Sequence, residues 1–427
     1  MRPETMDFTQ ETGNWGAAKK FRLIIREQGE AREMGGNEMS LAVGIVDNIM
    51  MNALDLGASD IHLQPERDQL RIRFRQDGVL HDNGQLPPEQ AANVIARLKL
   101  AASMRIDENR EPQDGRIDME YNGRRLSARA SCVPSLNGEK FVMRLLDPSA
   151  MKVDLESLGM QPQTLEKWNE AIQVPYGLIL VTGPTGSGKT STLYASLNKL
   201  DSKTRNIVTV EDPIEYEFEH NIAQVQVTEK NPFPRVMRAF LRQDPDVMMV
   251  GEIRDPESLK IAIQAGLTGH LVVSTLHTNN ALEAVGRMVD MGAEWYLISG
   301  VLVAVMAQRL VRRNCSQCSE PHPYSRDELE MIGITANDMT GATLMKGKGC
   351  PACRGTGFKG RIGIFELVTG NREFKQAITH KADYPELLAA ARNQGFFTMI
   401  EDGRQKVLKG QTTPEEVAKA VLTQAID

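Results

Sequence analysis

The sequence predicts an α/β protein: a parallel sheet covered by helices on both faces, preceded by a small mixed α+β domain and followed by a cysteine-containing segment and closing helices. Three observations carry this. Gly177–Thr182, Asn206–Val210, Val247–Val250 and Leu271–Leu276 are runs rich in Val, Ile, Leu and Met with no polar alternation, as strands buried on both faces require. Helix-like segments alternate with these runs from residue 161 onward, which is the order of a parallel α/β sheet. Before residue 148 the runs are shorter and alternating, with Gly-containing turns between several of them, as in a half-buried sheet.

Taken in order, residues 1–38 are polar, rich in Glu, Gly and Arg, and poor in patterned apolar residues. A short helix near Trp15–Arg32 competes there with disorder or partner-induced folding. Leu41, Ile45, Ile49 and Leu54 then fall at helical spacing, with Gly57 as a stop. Strands are expected over Asp60–Leu63, Leu70–Arg75, Arg116–Tyr121, Arg124–Val133 and Lys140–Leu145, with a helix at Pro88–Met104 between them. The domain division is therefore a segment 1–38, an α+β lobe 39–148, a linker 149–160 opened by Asp147-Pro148, an α/β core 161–312, a cysteine segment 313–366 and a helical region 367–427.

Composition narrows the function classes. The chain has 427 residues, 41% hydrophobic and 25% charged, values of a soluble globular protein of two or three domains. The longest apolar stretch, Leu297 to Val311, is interrupted by Ser299 and Gln308 and is shorter than the roughly 20 residues of a membrane span. There is no secretory-signal pattern, so a cytoplasmic location is expected. A formal net charge of −6 argues against nucleic acid as the main partner.

Gly183-Pro-Thr-Gly-Ser-Gly-Lys-Thr190 follows an apolar run and precedes the helix-like Ser191–Leu200. A Gly-x4-Gly-Lys-Thr loop in that setting turns successive backbone N–H groups onto phosphate oxygens at a helix N-terminus. The nucleotide-binding residues are accordingly Gly183, Pro184, Thr185, Gly186, Ser187, Gly188, Lys189, Thr190 and Ser191. Lys189 is expected on the β- and γ-phosphates of ATP and the Thr190 hydroxyl on Mg²⁺. Ligands of parallel sheets collect at the carboxyl ends of strands, and three other runs end in polar groups there: Glu211-Asp212, Glu252 and His277. Two carboxylates and a histidine suit metal binding and orientation of an attacking water.

Five cysteines include Cys315-x-x-Cys318 and Cys350-x-x-Cys353. Two such knuckles supply four thiolates for a closed, structural tetrahedral Zn²⁺ site. Cys132 is left over and is expected to be buried.

These motifs together resemble the secretion and pilus-biogenesis ATPases. Gly183–Thr190 is similar to the family's Walker A segment, Val210-Glu-Asp-Pro-Ile-Glu-Tyr216 to its Asp box, Leu241–Asp255 to its Walker B region, and Thr268–Asn279 to its His box. Ala58-Ser-Asp-Ile-His62, Pro112-Gln-Asp-Gly-Arg116 and Arg129-Ala-Ser131 match its first lobe, and Ala307-Gln-Arg-Leu310 with Gly357–Ile364 flank the cysteines as in the family. The resemblance covers about residues 40–427. It implies a RecA-like P-loop core behind a PAS-like lobe, six subunits in a ring, ATP between lobes, and work on an inner-membrane platform protein of a pilus or secretion machine.

By the same resemblance Glu211 is the water-activating base and Glu252 holds Mg²⁺ or the water, the two roles being exchangeable. Asp212 and Asp246 support them, and Arg116 and Arg129 face the phosphates, with Arg144 a weaker candidate and His62 structural. A four-cysteine segment marks assembly and secretion motors rather than retraction motors. Members of the family often carry an extra docking domain before the first lobe. With residues 1–38 ahead of it here, docking is expected to use a short segment or a different partner. A pilus retraction motor and a RecA-like nucleic-acid motor are the alternatives. The latter is opposed by 5% aromatic content and the absence of a basic run interleaved with aromatics.

Overall fold

The computed structural model describes residues 6–7, 21–27, 30–33, 41–146, 154–218 and 221–422. The chain divides into two compact units, Met1–Ala150 and Met151–Asp427.

The first unit holds strands β1 (Met6–Asp7), β2 (Phe21–Glu27), β3 (Glu30–Glu33), β4 (Asp60–Pro65), β5 (Leu70–Gln76), β6 (Val79–Leu86), β7 (Gln113–Tyr121), β8 (Arg124–Ser135) and β9 (Gly138–Leu146), with helices α1 (Leu41–Asp55) and α2 (Pro88–Ala101). They form one sheet in the order β1-β6-β5-β4-β9-β8-β7-β2-β3. Alternation sends Leu70, Ile72 and Phe74 of β5, and Ile117 and Met119 of β7, into one core with Ile45, Ile49, Val94 and Leu98 of the helices. The opposite face is polar. Across it, Arg116 stands beside Arg129, Arg129 beside Arg144, Arg144 beside Asp60, and Asp60 beside Arg75.

One expectation is corrected here. The region Trp15–Arg32 is not helical where it is described: Phe21–Glu27 pairs antiparallel with β7 and with β3. Leu23 is buried, and the Phe21 ring meets Tyr121 edge-on. A period-two apolar pattern was hidden in a stretch whose overall texture is polar. Val79–Leu86 is a further strand that its Asp, Asn and Gly content conceals.

The second unit carries β10 (Gly177–Thr182), β11 (Ile207–Glu211), β12 (Ile222–Gln226), β13 (Val247–Val250), β14 (Leu271–Leu276) and β15 (Leu302–Asn314). A hairpin of β16 (Ser319–Pro321) and β17 (Met345–Gly347) follows, and then β18 (Phe358–Thr369). The main sheet runs β12-β11-β13-β14-β10-β15-β18, parallel throughout except for β18, which is antiparallel to β15. The sheet therefore continues past residue 312, where the α/β core was expected to end.

The helices are α3 (Pro162–Gln173), α4 (Lys189–Lys199), α5 (Phe233–Phe240), α6 (Pro256–Leu267), α7 (Glu283–Asp290), α8 (Trp295–Val301), α9 (Arg326–Glu330), α10 (Arg372–Thr379), α11 (Tyr384–Arg392), α12 (Met399–Leu408) and α13 (Pro414–Leu422). Ile179, Val181, Ile207 and Val273 pack with Trp168 and Leu197 on one face, while Leu178, Leu180, Val208 and Val272 pack with α5 and α6 on the other. That two-sided burial is why these strands read as unbroken apolar runs. The apolar stretch Leu297–Val311 splits between α8 and β15. Among the described residues no helix is long and apolar enough to cross a membrane.

Candidate functional site

The phosphate loop joins β10 to α4. Gly183 adopts φ +139°, and a Cβ there would lie 2.5 Å from the Gln308 carbonyl oxygen; Gly188 adopts φ +88° at the helix N-cap. Only glycine fits both demands. The loop is braced from β15: Gln308 Nε2 donates to the Ser187 carbonyl at 2.8 Å, and its Oε1 accepts from the Thr192 hydroxyl at 2.7 Å. Gln308 is buried, so this brace is rigid. Lys189 Nζ donates to the carbonyls of Gly183 and Pro184 at 2.8 and 3.0 Å. Burial pushes its ammonium below the ordinary lysine range, and the charge of Glu252 opposes that shift. Ser187 Oγ is buried without a hydrogen-bond partner, and Thr190 is half-buried on the first turn of α4. Glycine-bent backbone, a helix N-terminus and a partly desolvated lysine fit a polyphosphate.

Glu252 stands just beyond β13 and is the hub of the charged groups. His277 Nε2 lies 3.3 Å from its Oε2, Arg254 pairs with its Oε1, and Arg254 also reaches Asp212 at 3.4 Å. Burial would raise the Glu252 pKa, but Arg254 and His277 outweigh it and hold the carboxyl below its usual range. Glu252 is thus an anion whose charge acts on Lys189, and its carboxylate and the Thr190 hydroxyl are hard oxygen donors of the kind that Mg²⁺ takes.

Glu211, at the end of β11, is turned inward and is 3% exposed. Its carboxylate accepts from the Tyr194 hydroxyl of α4, from Thr209 Oγ1 at 2.7 Å and from Gln224 Nε2 at 3.0 Å. Tyr194 in turn packs against both Tyr216 and Phe218, with ring centroids at 4.0 and 4.5 Å, and those two rings also meet each other at 5.9 Å. Asp246 does not belong to this group. It accepts from the Asn206 N–H at 2.6 Å at the start of β13, the end of that strand away from Glu252. Its acid staples two strand starts together, which corrects the supporting role given it by resemblance.

Arg116 and Arg129 lie on the first unit. Arg116 bonds Asp118 at 3.0 Å and Ser127 Oγ at 3.2 Å and is 63% exposed. Arg144 bonds Asp60 at 3.0 Å. His62, on the same strand as Asp60, has its pKa lowered by burial, with Asp60 opposing.

Residues that sequence reasoning missed cluster on β15 and β18. Arg309 donates to the Asn279 carbonyl at 3.3 Å. Glu366 accepts from Ala281 N–H at 2.6 Å and Met399 N–H at 3.0 Å. Together they hold the loop that follows His277. A polar residue inside an apolar strand was the available signal for all three of Gln308, Arg309 and Glu366. A cavity of about 730 Å³ opens beside Gly183, Pro184 and His277, reaching Arg287, Trp295 and Tyr384.

The four sulfurs of Cys315, Cys318, Cys350 and Cys353 all lie within 4.8 Å of one another. Three of their separations are 3.9, 3.7 and 3.7 Å. A tetrahedron with Zn–S bonds of about 2.3 Å has edges of about 3.8 Å, so the donor set fits zinc. Burial opposes ionisation of Cys353, but N–H groups of Cys350 and Gly357 at 3.2 and 3.3 Å hold its thiol at about 6. Cys132 is buried, as expected, with its thiol 3.3 Å from Glu139.

The family described as Type II/IV secretion system protein matches residues 37–419. Type II secretion system protein E of Pseudomonas aeruginosa is 47% identical over 379 residues, 88% of this chain and 75% of that protein. The protein of the same name in Pectobacterium carotovorum is 48% identical over 407 residues, 95% of this chain and 80% of that protein. The type IV pilus assembly ATPase PilB of Thermus thermophilus is 42% identical over 383 residues, 88% of this chain but 43% of that protein. Among solved structures, the Legionella pneumophila ATPase DotB superposes with a TM-score of 0.67 over 90% of this chain and 97% of its own, a likeness of fold at 21% identity. The pilus retraction motor PilT with bound ADP gives 0.60 at 27% identity, over 88% and 97% of the two chains.

Proposed function

The chain belongs to the type II/IV secretion system protein family and is an ATP hydrolase, and from that premise we propose that it works as a cytoplasmic homohexameric motor driving type II secretion or type IV pilus assembly through an inner-membrane platform protein. The observation that carries the reading is the grouping of Lys189 with the Glu252–His277–Arg254 cluster at the carboxyl ends of adjacent strands. The P-loop and Lys189 bind the phosphates of ATP. Thr190 and Glu252 hold Mg²⁺, which when bound neutralises phosphate charge. His277 orients the Glu252 carboxylate, and Glu211 orients the attacking water. Arg116 and Arg129 serve as phosphate-facing guanidinia, a role that a planar fork fills better than a lysine. The cysteine cluster binds a structural Zn²⁺, and its presence favours assembly or secretion over retraction.

The test is steady-state ATP hydrolysis across a size-exclusion profile, with and without single-stranded DNA. Turnover is expected in the hexamer fraction only, indifferent to DNA. Glu211→Gln should abolish kcat while leaving ATP binding intact, and Glu252→Gln should weaken Mg²⁺-dependent binding. The opposite pattern would exchange the two roles. An active monomer or strong stimulation by DNA would overturn the motor reading.

A further inference from the structure

Glu211 is assigned to water orientation in the proposed function, yet its carboxylate is buried and engaged by three interior donors. Tyr194 donates to its Oε2, and Thr209 and Gln224 donate to its Oε1, which takes three of the roughly four acceptor positions of a carboxylate. A base must reach the proton it takes, and a carboxylate that is 3% exposed and engaged by three interior donors is closed off from solvent water. Gln224 does more than donate to Glu211. Its Nε2 also bonds the Tyr216 carbonyl at 3.1 Å, and its Oε1 accepts the Phe218 N–H at 2.9 Å. The loop that carries Tyr216 and Phe218 is therefore tied to the same carboxylate, and its two rings cluster with Tyr194.

We propose that Tyr194, Thr209 and Gln224 form a latch that holds Glu211 in a resting, inward position, and that hydrolysis requires its release toward the attacking water. The inference rests on Glu211 being the water-orienting group. Burial and the Glu211 charge push the Tyr194 pKa well above the ordinary range, so the phenol keeps its proton and donates at any working pH. The three bonds together hold the carboxylate inward. Losing one of them shifts the equilibrium between inward and released carboxylate by about tenfold. Since Glu211, Gln224 and the aromatic pair share one network, a movement of the 213–218 loop is coupled to release. The latch gives that loop control over the rate of hydrolysis.

The experiment compares Tyr194→Phe, Thr209→Val and Glu211→Gln in the full-length hexamer, reading kcat and KM for MgATP separately along with thermal unfolding. Thr209→Val is isosteric at a buried position and serves if the tyrosine variant folds poorly. The latch predicts that each of the first two raises kcat about tenfold with KM within twofold of the wild type, and that Glu211→Gln abolishes the gain when combined with either. A fall in kcat, or no change, in folded Tyr194→Phe and Thr209→Val would overturn the latch and make the three donors supports for a carboxylate that works where it stands. Full activity in Glu211→Gln would instead defeat the assignment of Glu211 itself.

Discussion

At the scale of single residues, the sequence separated the chemistry from its supports. The phosphate-loop residues and Glu252 were readable because each follows an apolar run at the end where a parallel sheet gathers ligands. Gln308 was visible as an interruption of Leu297–Val311 and as part of Ala307-Gln-Arg-Leu310, but its partners were invisible, since bonding to Ser187 and Thr192 depends on β15 lying beside β10. The inward turn of Glu211 was equally hidden, because the position of Tyr194 on the facing helix follows from packing. Gln308→Leu keeps the volume of the brace and removes both bonds. It leaves the Ser187 carbonyl and the Thr192 hydroxyl without that partner, at a cost of about 1–3 kcal/mol. We expect a lower unfolding midpoint in urea and a several-fold higher KM for ATP with little change in kcat, because the loop geometry binds phosphate before any chemistry. An unaltered KM in the folded variant would remove Gln308 from the phosphate site's construction.

Among elements, those that pack on both faces were legible and those defined by distant pairing were not. β10, β13 and β14 have the bounds read from the sequence, because every one of their residues is buried. β18 escaped notice because its partner β15 lies on the far side of the cysteine segment. That arrangement bears on zinc. The knuckles and the β16–β17 hairpin have few apolar contacts of their own, whereas Ile332, Ile334 and Leu344 pack on Val407 and Val417 of α12 and α13. Chelation in reducing buffer should therefore raise amide exchange across Cys315–Cys318 and Cys350–Cys353, while the helix-packed stretch and the β15–β18 ladder stay protected. ATP affinity should hold within twofold, since the phosphate loop is braced from β15. Unchanged exchange at the cysteines, or an absence of zinc in metal analysis of reduced protein, would end the zinc reading.

For the molecule as a whole, Glu366 joins parts of the second unit that are far apart in the chain. From β18 it receives the Ala281 N–H of the loop following His277 and the Met399 N–H that opens α12. Burial raises its pKa from 4.5 to about 7, a shift opposed by those two N–H groups, supported by Glu283 and opposed by Arg309. The folded state thus favours the protonated acid more than the unfolded chain does. Stability from this group is fully present below the unfolded value near 4.5 and is lost as pH rises through about 7. At about 1.4 kcal/mol per pKa unit, the loss amounts to about 3 kcal/mol. Urea unfolding of the wild type should show this decline between about pH 4.5 and 7, on top of the other titrations. Glu366→Gln preserves the side chain's size and removes its titration, so the difference in stability between the two proteins should change in the variant's favour as pH rises. A difference independent of pH would mean that Glu366 titrates in the fold as it does in the unfolded chain and is ionised over the upper part of that range, its charge carried by the two backbone donors and Arg309. In that case the junction between the His277 loop and α12 would be a fixed electrostatic tie, insensitive to proton concentration.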